Sequence, residues 1–310
     1  MIPEQQRKTL QGRPLAGNED RMEKMNPEQQ SKETLDAWQT SAPYWDKHRA
    51  LITQMFAPIT SGLIEEARIG IGHTVLDIGG GSGEPSLTIS GIVGPTGSVM
   101  FTDPTAGMFE SAQTEAGRRG LTNIQFRQCS ADDLPFADNT FDVAVGRFSA
   151  MFFVDPARAM REVLRVVFRD GCVSFAVWGP KEANPFFSTI TDVFDRFVES
   201  PKENPDGPDP FRFAVRGKLA AIMQDAGAGK VTERQLDFEI EAAISFEQFW
   251  RLRTEMSESL REKLAGLSPK KIEAIKQTVG DAAGKYFVNH KMSFPAQALI
   301  VTAKKTRRRH

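Results

Sequence analysis

Two cysteines in 310 residues, Cys129 and Cys172, leave no disulfide framework to build on, and no Cys-x-x-Cys pair occurs. The four histidines (His48, His73, His290 and His310) show no ligand spacing, so no structural metal is expected. Each cysteine stands at the edge of an apolar run. They read as small buried hydrophobes of a reducing compartment, which makes the cytoplasm the expected location. Charge of one sign is also lacking: the formal net charge is −1. No overall field gathers nucleic acid or an anionic membrane, and neither is expected as a partner. No apolar run is long enough to span a bilayer.

What is present is the composition of a globular enzyme-sized chain, 40% hydrophobic and 25% charged. Residues 1–30 are polar and read as a mobile N-terminal tail rather than a signal peptide. Leu35, Trp38, Tyr44, Trp45, Leu51, Ile52, Met55, Phe56, Ile64 and Ala67 recur at helical spacing, interrupted at Pro43 and Pro58. They predict two or three short helices over 31–72. Tyr44 or Trp45 either packs these helices onto a core or closes over a ligand. The run Lys304-Lys305-Thr306-Arg307-Arg308-Arg309-His310 reads first as a solvated basic tail, with an electrostatic contact to lipid or nucleic acid as the alternative.

From Thr74 onward short apolar runs alternate with helical patterns. Strands are expected at 74–78, 98–102, 124–129, 141–146 and 172–177. Helices are expected after the first, second and fourth of these, the last running through Val167 to a stop at Gly171. This alternation predicts an α/β fold with a parallel sheet. Beyond Pro180 the pattern changes. Phe187, Ile190, Phe194 and Phe197 mark a helix, 201–210 a proline-rich loop, 219–225 a helix, 230–240 a long strand and 298–303 the last strand. Between the last two lies a stretch too long for a plain loop. Ser245 to Tyr286 is read as a helical cap over the site.

The chain is organised around Thr74-Val75-Leu76-Asp77-Ile78-Gly79-Gly80-Gly81-Ser82-Gly83-Glu84-Pro85. It is a buried strand, a glycine turn on which a ligand can lie against main-chain amides, and a helix start. In open α/β sheets ligands bind past the carboxyl ends of the strands. That edge gathers Gly79 to Gly83, Asp103, Ser130 to Asp132, Arg147 and Phe148. Asp103, ending the second strand, is placed to accept ribose hydroxyls, or else is an ordinary turn carboxylate. A dinucleotide fingerprint wants its third glycine at position 84. Here 84 is Glu, which opposes a pyrophosphate at a helix start. A cofactor with a cationic centre and no phosphates, such as S-adenosylmethionine, fits better.

The stretch Val75 to Pro85 resembles motif I of class I S-adenosylmethionine-dependent methyltransferases, most closely the ubiquinone/menaquinone type. Asp103 matches that family's ribose-binding acid. Ala131-Asp132-Asp133-Leu134-Pro135-Phe136-Ala137-Asp138-Asn139-Thr140-Phe141-Asp142 resembles its loop beside the adenine, and Arg147-Phe148 and Asp155 to Gly171 the segment that follows. The resemblance implies a Rossmann-like doubly wound sheet of about seven strands, mostly parallel with an antiparallel last strand. To this are added N-terminal helices and a helical cap. The implied division is a core of 73–241 plus 290–304, a cap of 242–289 and a basic tail of 305–310. Sheet edge and resemblance together nominate Asp77, Gly79, Gly80, Gly81, Gly83, Asp103, Pro104, Met108, Ser130, Ala131, Asp132, Arg147, Phe148 and Tyr44 for the cofactor.

Two departures stand out. Ser130 replaces the family's frequent Asp beside the adenine amino group, a weaker acceptor that Asp132 can stand in for. Phe168-Arg169-Asp170-Gly171 replaces the usual Arg-Pro-Gly-Gly. Met151, Phe152, Trp178 and Trp250 are expected to wall an apolar pocket for a small acceptor, methylated at oxygen or carbon. No general base is evident; His48 and His290 are weak candidates. A nicotinamide-dependent oxidoreductase is the second reading, disfavoured by Glu84 and the lack of a Tyr-x-x-x-Lys pair. A non-catalytic module binding the same cofactor is the third. The sequence is silent on oligomeric state.

Overall fold

The structure, a computed structural model, describes residues 27–198, 206–289 and 291–306. Residues 1–26, 199–205, His290 and 307–310 lie outside them, and with them most of the expected tail, half of the expected proline-rich loop, most of the basic run and one of the two candidate bases.

Strand β1 (Thr74–Ile78) lies at the centre because Val75, Leu76 and Ile78 leave almost nothing to solvent on either face. It pairs in parallel with β2 (Ser98–Asp103) on one side and β4 (Phe141–Arg147) on the other. Outside these, β3 (Ile124–Gln128) joins β2 and β5 (Val167–Trp178) joins β4, again in parallel. β6 (Ala228–Ala242) and β8 (Lys291–Lys305) complete the order β3-β2-β1-β4-β5-β8-β6. β8 runs antiparallel to both neighbours, and the two-residue β7 (Phe287–Val288) pairs with its start. The sheet therefore has eight strands, seven of them on the main path.

Alternate residues of the central strands feed two apolar layers. On one face Val75, Val99, Val143 and Val145 meet α3 (Ala57–Ala67), α4 (Ser86–Val93) and α5 (Ala106–Arg118). On the other, Leu76, Ile78 and Ala144 meet α2 (Arg49–Met55), α6 (Pro156–Val166) and α7 (Pro185–Phe197). That is the doubly wound arrangement, and its carboxyl edge is where the strand order reverses beside β1.

α1 (Pro27–Lys47) contains Pro43 and is not interrupted there. An interior proline costs about 3 kcal/mol. Contacts along the helix offset this. The Gly107 amide donates to Gln39 Oε1 (3.1 Å), Thr40 donates to Glu258 (2.7 Å) and Arg261 donates to Ser41 (3.0 Å). The other correction concerns 167–171, which is strand and not helix. Asp155 caps α6 by accepting from the Arg158 amide, and the helix ends at Val166. Gly171 is required by the β4–β5 crossing and not by a helix end. A Cβ there would stand 2.5 Å from Val167 Cγ1 and 2.7 Å from the Asp142 carbonyl oxygen.

After α8 (Lys218–Asp225) and β6, the expected helical block is α9 (Phe246–Met256), α10 (Glu258–Ala265) and α11 (Pro269–Ala283). Ser245, Ser257 and Ser268 cap the three helices in turn. Phe249 seats the block, its ring 5.6 Å from Phe186 of α7 and 5.1 Å from Phe294 of β8. Among the described residues no helix is long and apolar enough to cross a membrane.

Candidate active site

A cleft of about 1150 Å³, open mouth included, lies over the carboxyl ends of β1, β2 and β4. Its floor is the glycine turn. Gly79 and Gly81 have positive φ (68° and 57°), and beyond the Cα of Gly81 a Cβ would meet nothing within 4 Å. Backbone conformation, not crowding, calls for glycine there. At Gly80 crowding decides, because a Cβ would press on the Phe101 ring at 2.4 Å and on Asp77 Oδ2 at 2.8 Å.

Asp103 ties the second strand to this turn. Its Oδ2 accepts from the Gly81 amide (3.0 Å) and its Oδ1 from the Thr105 amide (2.8 Å). With the Thr105 hydroxyl also bonded to it, the carboxylate still keeps a lone pair for a further donor. Burial pushes its pKa up to about 6, against the pull of the two amides and the Thr105 hydroxyl. Pro104 and Met108 line the cleft beside it. At the end of β3, Cys129, Ser130, Ala131 and Asp132 line it too. The Ser130 hydroxyl donates to Asp132 Oδ1 (2.6 Å), so the carboxylate is the acceptor this corner presents outward. From β4 come Arg147, Phe148 and Ser149. Arg147 donates to Thr60 of α3 (2.9 Å), and burial holds its pKa below the usual arginine value.

Asp77 and Gly83 stand behind this wall, not in it. Asp77 is fully buried, its Oδ2 accepting from the amide (3.1 Å) and hydroxyl (2.6 Å) of Ser86 at the start of α4. Burial raises its pKa to about 7, and its Oδ1 has no partner. Glu84 does line the cleft. It is 6% exposed, its Oε2 accepts from the Thr88 amide (3.3 Å), and its Oε1 stands 3.7 Å from the Arg119 guanidinium in an ion pair.

The roof is α1. Ser31, Thr34, Leu35, Trp38 and Trp45 line the cleft, meeting Phe56, Phe152 and Phe153 from below. Trp38 stands edge-on to Trp45 (5.6 Å between ring centres) and to Phe152 (4.9 Å). Arg49, just after α1, donates to the Ser82 carbonyl (2.6 Å) and the Ser111 carbonyl (3.0 Å), and pairs with Asp46. It fastens the roof to the glycine turn and to α5.

Several expected residues lie elsewhere. Tyr44 faces away from the cleft, beneath the Arg261 guanidinium at 4.8 Å. Met151 is core, 1% exposed. Trp178 is one layer behind the wall, stacked on Phe148 at 4.0 Å. Trp250 stacks on Phe194 of α7 at 6.1 Å. His48 bonds Glu255 of α9 at 2.6 Å and not a cleft residue. The block 246–283 contributes no lining residue. It braces α1 from outside, and the cap over the site is α1 itself. Of the expected acceptor-pocket residues only Phe152 lines the cleft. Trp38, Phe56, Glu84, Cys129 and Ser149 were not among the nominated residues. Trp38 and Trp45, seven apart and so on one helix face, were the available signal for the roof.

The floor thus offers carboxylate oxygens and one guanidinium, and the roof offers aromatic surface. Two carboxylates, Glu84 and Asp103, beside the glycine turn suit a cation better than a phosphate. That donor set fits an ammonium-bearing, ribose-bearing ligand.

Residues 76–175 match the family model described as a methyltransferase domain. The ubiquinone/menaquinone biosynthesis C-methyltransferase UbiE of Ectopseudomonas mendocina is 32% identical over 181 residues, 54% of this chain and 70% of that protein. The uncharacterized methyltransferase YcgJ of Bacillus subtilis is 39% identical over 109 residues, 35% of this chain, and the match spans 42% of the relative's own length. The crystal structure of YcgJ superposes with a TM-score of 0.51 at 21% identity, over 80% of this chain and 98% of that one, which speaks for the fold. Strand order, glycine turn, donor set and these matches agree: the chain belongs to the class I S-adenosylmethionine-dependent methyltransferases of the UbiE-like type.

Proposed function

We propose that the protein transfers a methyl group from S-adenosylmethionine to a small apolar or aromatic acceptor, at oxygen or carbon. The observation that carries this is the apolar part of the cleft: Leu35, Trp38 and Trp45 of the roof, and Phe56, Phe148, Phe152 and Phe153 beneath them, line the same cleft as the glycine turn.

When bound, the cofactor supplies a sulfonium-activated methyl group. The floor residues hold it. Asp103 accepts the ribose hydroxyls, Asp132 the adenine amino group, and the Glu84 carboxylate faces the ammonium. Arg147, with Thr60 as its only hydrogen-bond partner among the described residues, faces the tail carboxylate. Asp77, through Ser86, fixes where the turn meets α4. The roof seats the acceptor and excludes water, so alignment and desolvation carry the rate. Among the described residues the one carboxylate beside these rings, Asp155, is engaged in capping α6, so the acceptor's nucleophile is one that needs little help with proton loss, such as a phenol or an enol.

Calorimetry on the full chain tests the cofactor. S-adenosylmethionine is expected to bind and NADH is not, and binding of NADH alone would overturn the reading. A screen of quinols, phenols and fatty acids with labelled cofactor then reads transfer. Binding of the cofactor without transfer to any acceptor favours the non-catalytic alternative.

A further inference from the structure

Ser149 lines the cleft just past the end of β4, and the reading above gives it no task. It is 8% exposed, and its hydroxyl is buried with no hydrogen-bond partner among the described residues. Other hydroxyls around the cleft are engaged. Ser130 donates to Asp132 (2.6 Å), Ser86 donates to Asp77 (2.6 Å) and Thr60 accepts from Arg147 (2.9 Å). A buried hydroxyl left unanswered by the protein costs stability.

Three local features nevertheless serve to put it there. Phe148, the residue before it, has a φ of 61°, a left-handed conformation that a bulky side chain adopts only under constraint. Gly79 of the glycine turn leaves room for Ser149, because a Cβ at 79 would stand 2.6 Å from the Ser149 Cβ. Gly146 of β4 does the same, because a Cβ there would stand 2.6 Å from the Ser149 Oγ. The backbone on either side is pinned. The Phe148 amide donates to the Ala176 carbonyl (2.9 Å) and the Phe152 amide to the Ser149 carbonyl (2.9 Å). Ser149 thus plugs the crevice between β1 and β4, where the strand order reverses. On one side of it is the glycine turn. On the other are Phe148, Phe152 and Phe153 of the apolar part of the cleft.

We propose that Ser149 is a specificity-determining residue that holds a hydroxyl of the acceptor where the cofactor floor meets the apolar rings. A serine hydroxyl both donates and accepts, which matches the O–H of a phenol or enol. Because Ser149 lines the cleft, the partner it lacks within the protein comes from a ligand there, and the flanking rings take that ligand's apolar body. The inference rests on the methyltransferase reading and specifies what the acceptor carries.

The test uses the full chain. S-adenosylhomocysteine is titrated first, and failure of the wild type to bind it would indict the methyltransferase reading and not Ser149. With S-adenosylhomocysteine saturating, naphthol, butylphenol and an alkylhydroquinone are titrated, each beside the analogue with hydrogen in place of the hydroxyl. The wild type is expected to prefer the hydroxyl-bearing member by roughly tenfold, as for one hydrogen bond. Ser149→Ala keeps the Cβ that fits between the two glycines. Its preference is expected to vanish while S-adenosylhomocysteine affinity holds. Its thermal midpoint is expected to stay level or rise, since the hydroxyl removed had no protein partner, whereas a purely structural hydroxyl would lower it when lost. A wild type without the preference, a preference that persists in Ser149→Ala, a loss of S-adenosylhomocysteine affinity in the variant or a lowered midpoint would each overturn the proposal.

Discussion

Two helical regions flank the sheet's carboxyl edge, and they do opposite things. α1 lays Leu35, Trp38 and Trp45 over the glycine turn and forms the roof. The block α9–α11 is of similar amphipathic character, yet it touches the cleft nowhere. Its apolar faces meet α7 and β8, and its polar residues Glu255, Glu258 and Arg261 grip the back of α1. The lesson is about division of labour: one region makes the surface a ligand sees, and the other holds that surface in place.

This division can be broken by substitution. Phe249→Ala removes a fully buried ring from the block and is expected to cost about 3–5 kcal/mol in denaturant unfolding. Cofactor affinity of the folded protein should stay unchanged; a parallel loss of affinity would erase the distinction. Asp103→Ala is the mirror case. It should weaken cofactor binding by about 1.5–3 kcal/mol, the range for a hydrogen bond to a charged group, measured by calorimetry.

pH separates the regions by sign. Asp77 beneath the floor has its pKa raised by burial from 3.8 to about 7. Between those values the folded state holds the extra proton, so this group's contribution to stability falls as pH rises through 7. Asp77→Asn should therefore be the more stable protein at pH 8, by roughly 1–3 kcal/mol, with the gap narrowing as pH falls below 7 and closing near 3.8. Glu255 in the brace behaves oppositely. Burial works against its charge, but the bonds from Lys47 and His48 win and hold its pKa below the usual 4.5. Its contribution is present above that value and lost as pH falls through the folded one.

Kinetics sharpens the same contrast. Trp38→Ala takes away two edge-on aromatic contacts in the roof, and kcat/KM for the acceptor should drop about tenfold. Trp250→Ala, in the block, should leave acceptor kinetics alone; equal effects from the two would restore the block as a cap. The smallest change is Glu255→Gln. A partly exposed pair of this kind is worth about 0–1 kcal/mol, visible as a small loss in thermal midpoint that disappears at high salt.

Much of the floor was legible because its signals are local. A buried strand and glycines at 79, 80, 81 and 83 form one continuous stretch, and the acid that bonds Gly81 ends the very next strand. The topology rule carries them to one edge. The roof was harder. Trp38 and Trp45 showed a helix face but not what it faces, and Pro43 suggested a break that tertiary contacts override. Trp250 and Trp178 were expected in the pocket because large aromatics suit either a core or a site, and only position separates the two.

The sequence by itself determined the alternation of strand and helix, the glycine turn and the acid, Glu84, that starts the helix after it. Each of these follows from backbone conformation or from charges adjacent in the chain. Tertiary structure alone decided which helix covers the turn, that Tyr44 faces outward and that Ser149 sits against both Gly79 and Gly146. Those are facts about distant segments meeting, and hydrophobic periodicity fixes that a face is buried without naming its partner.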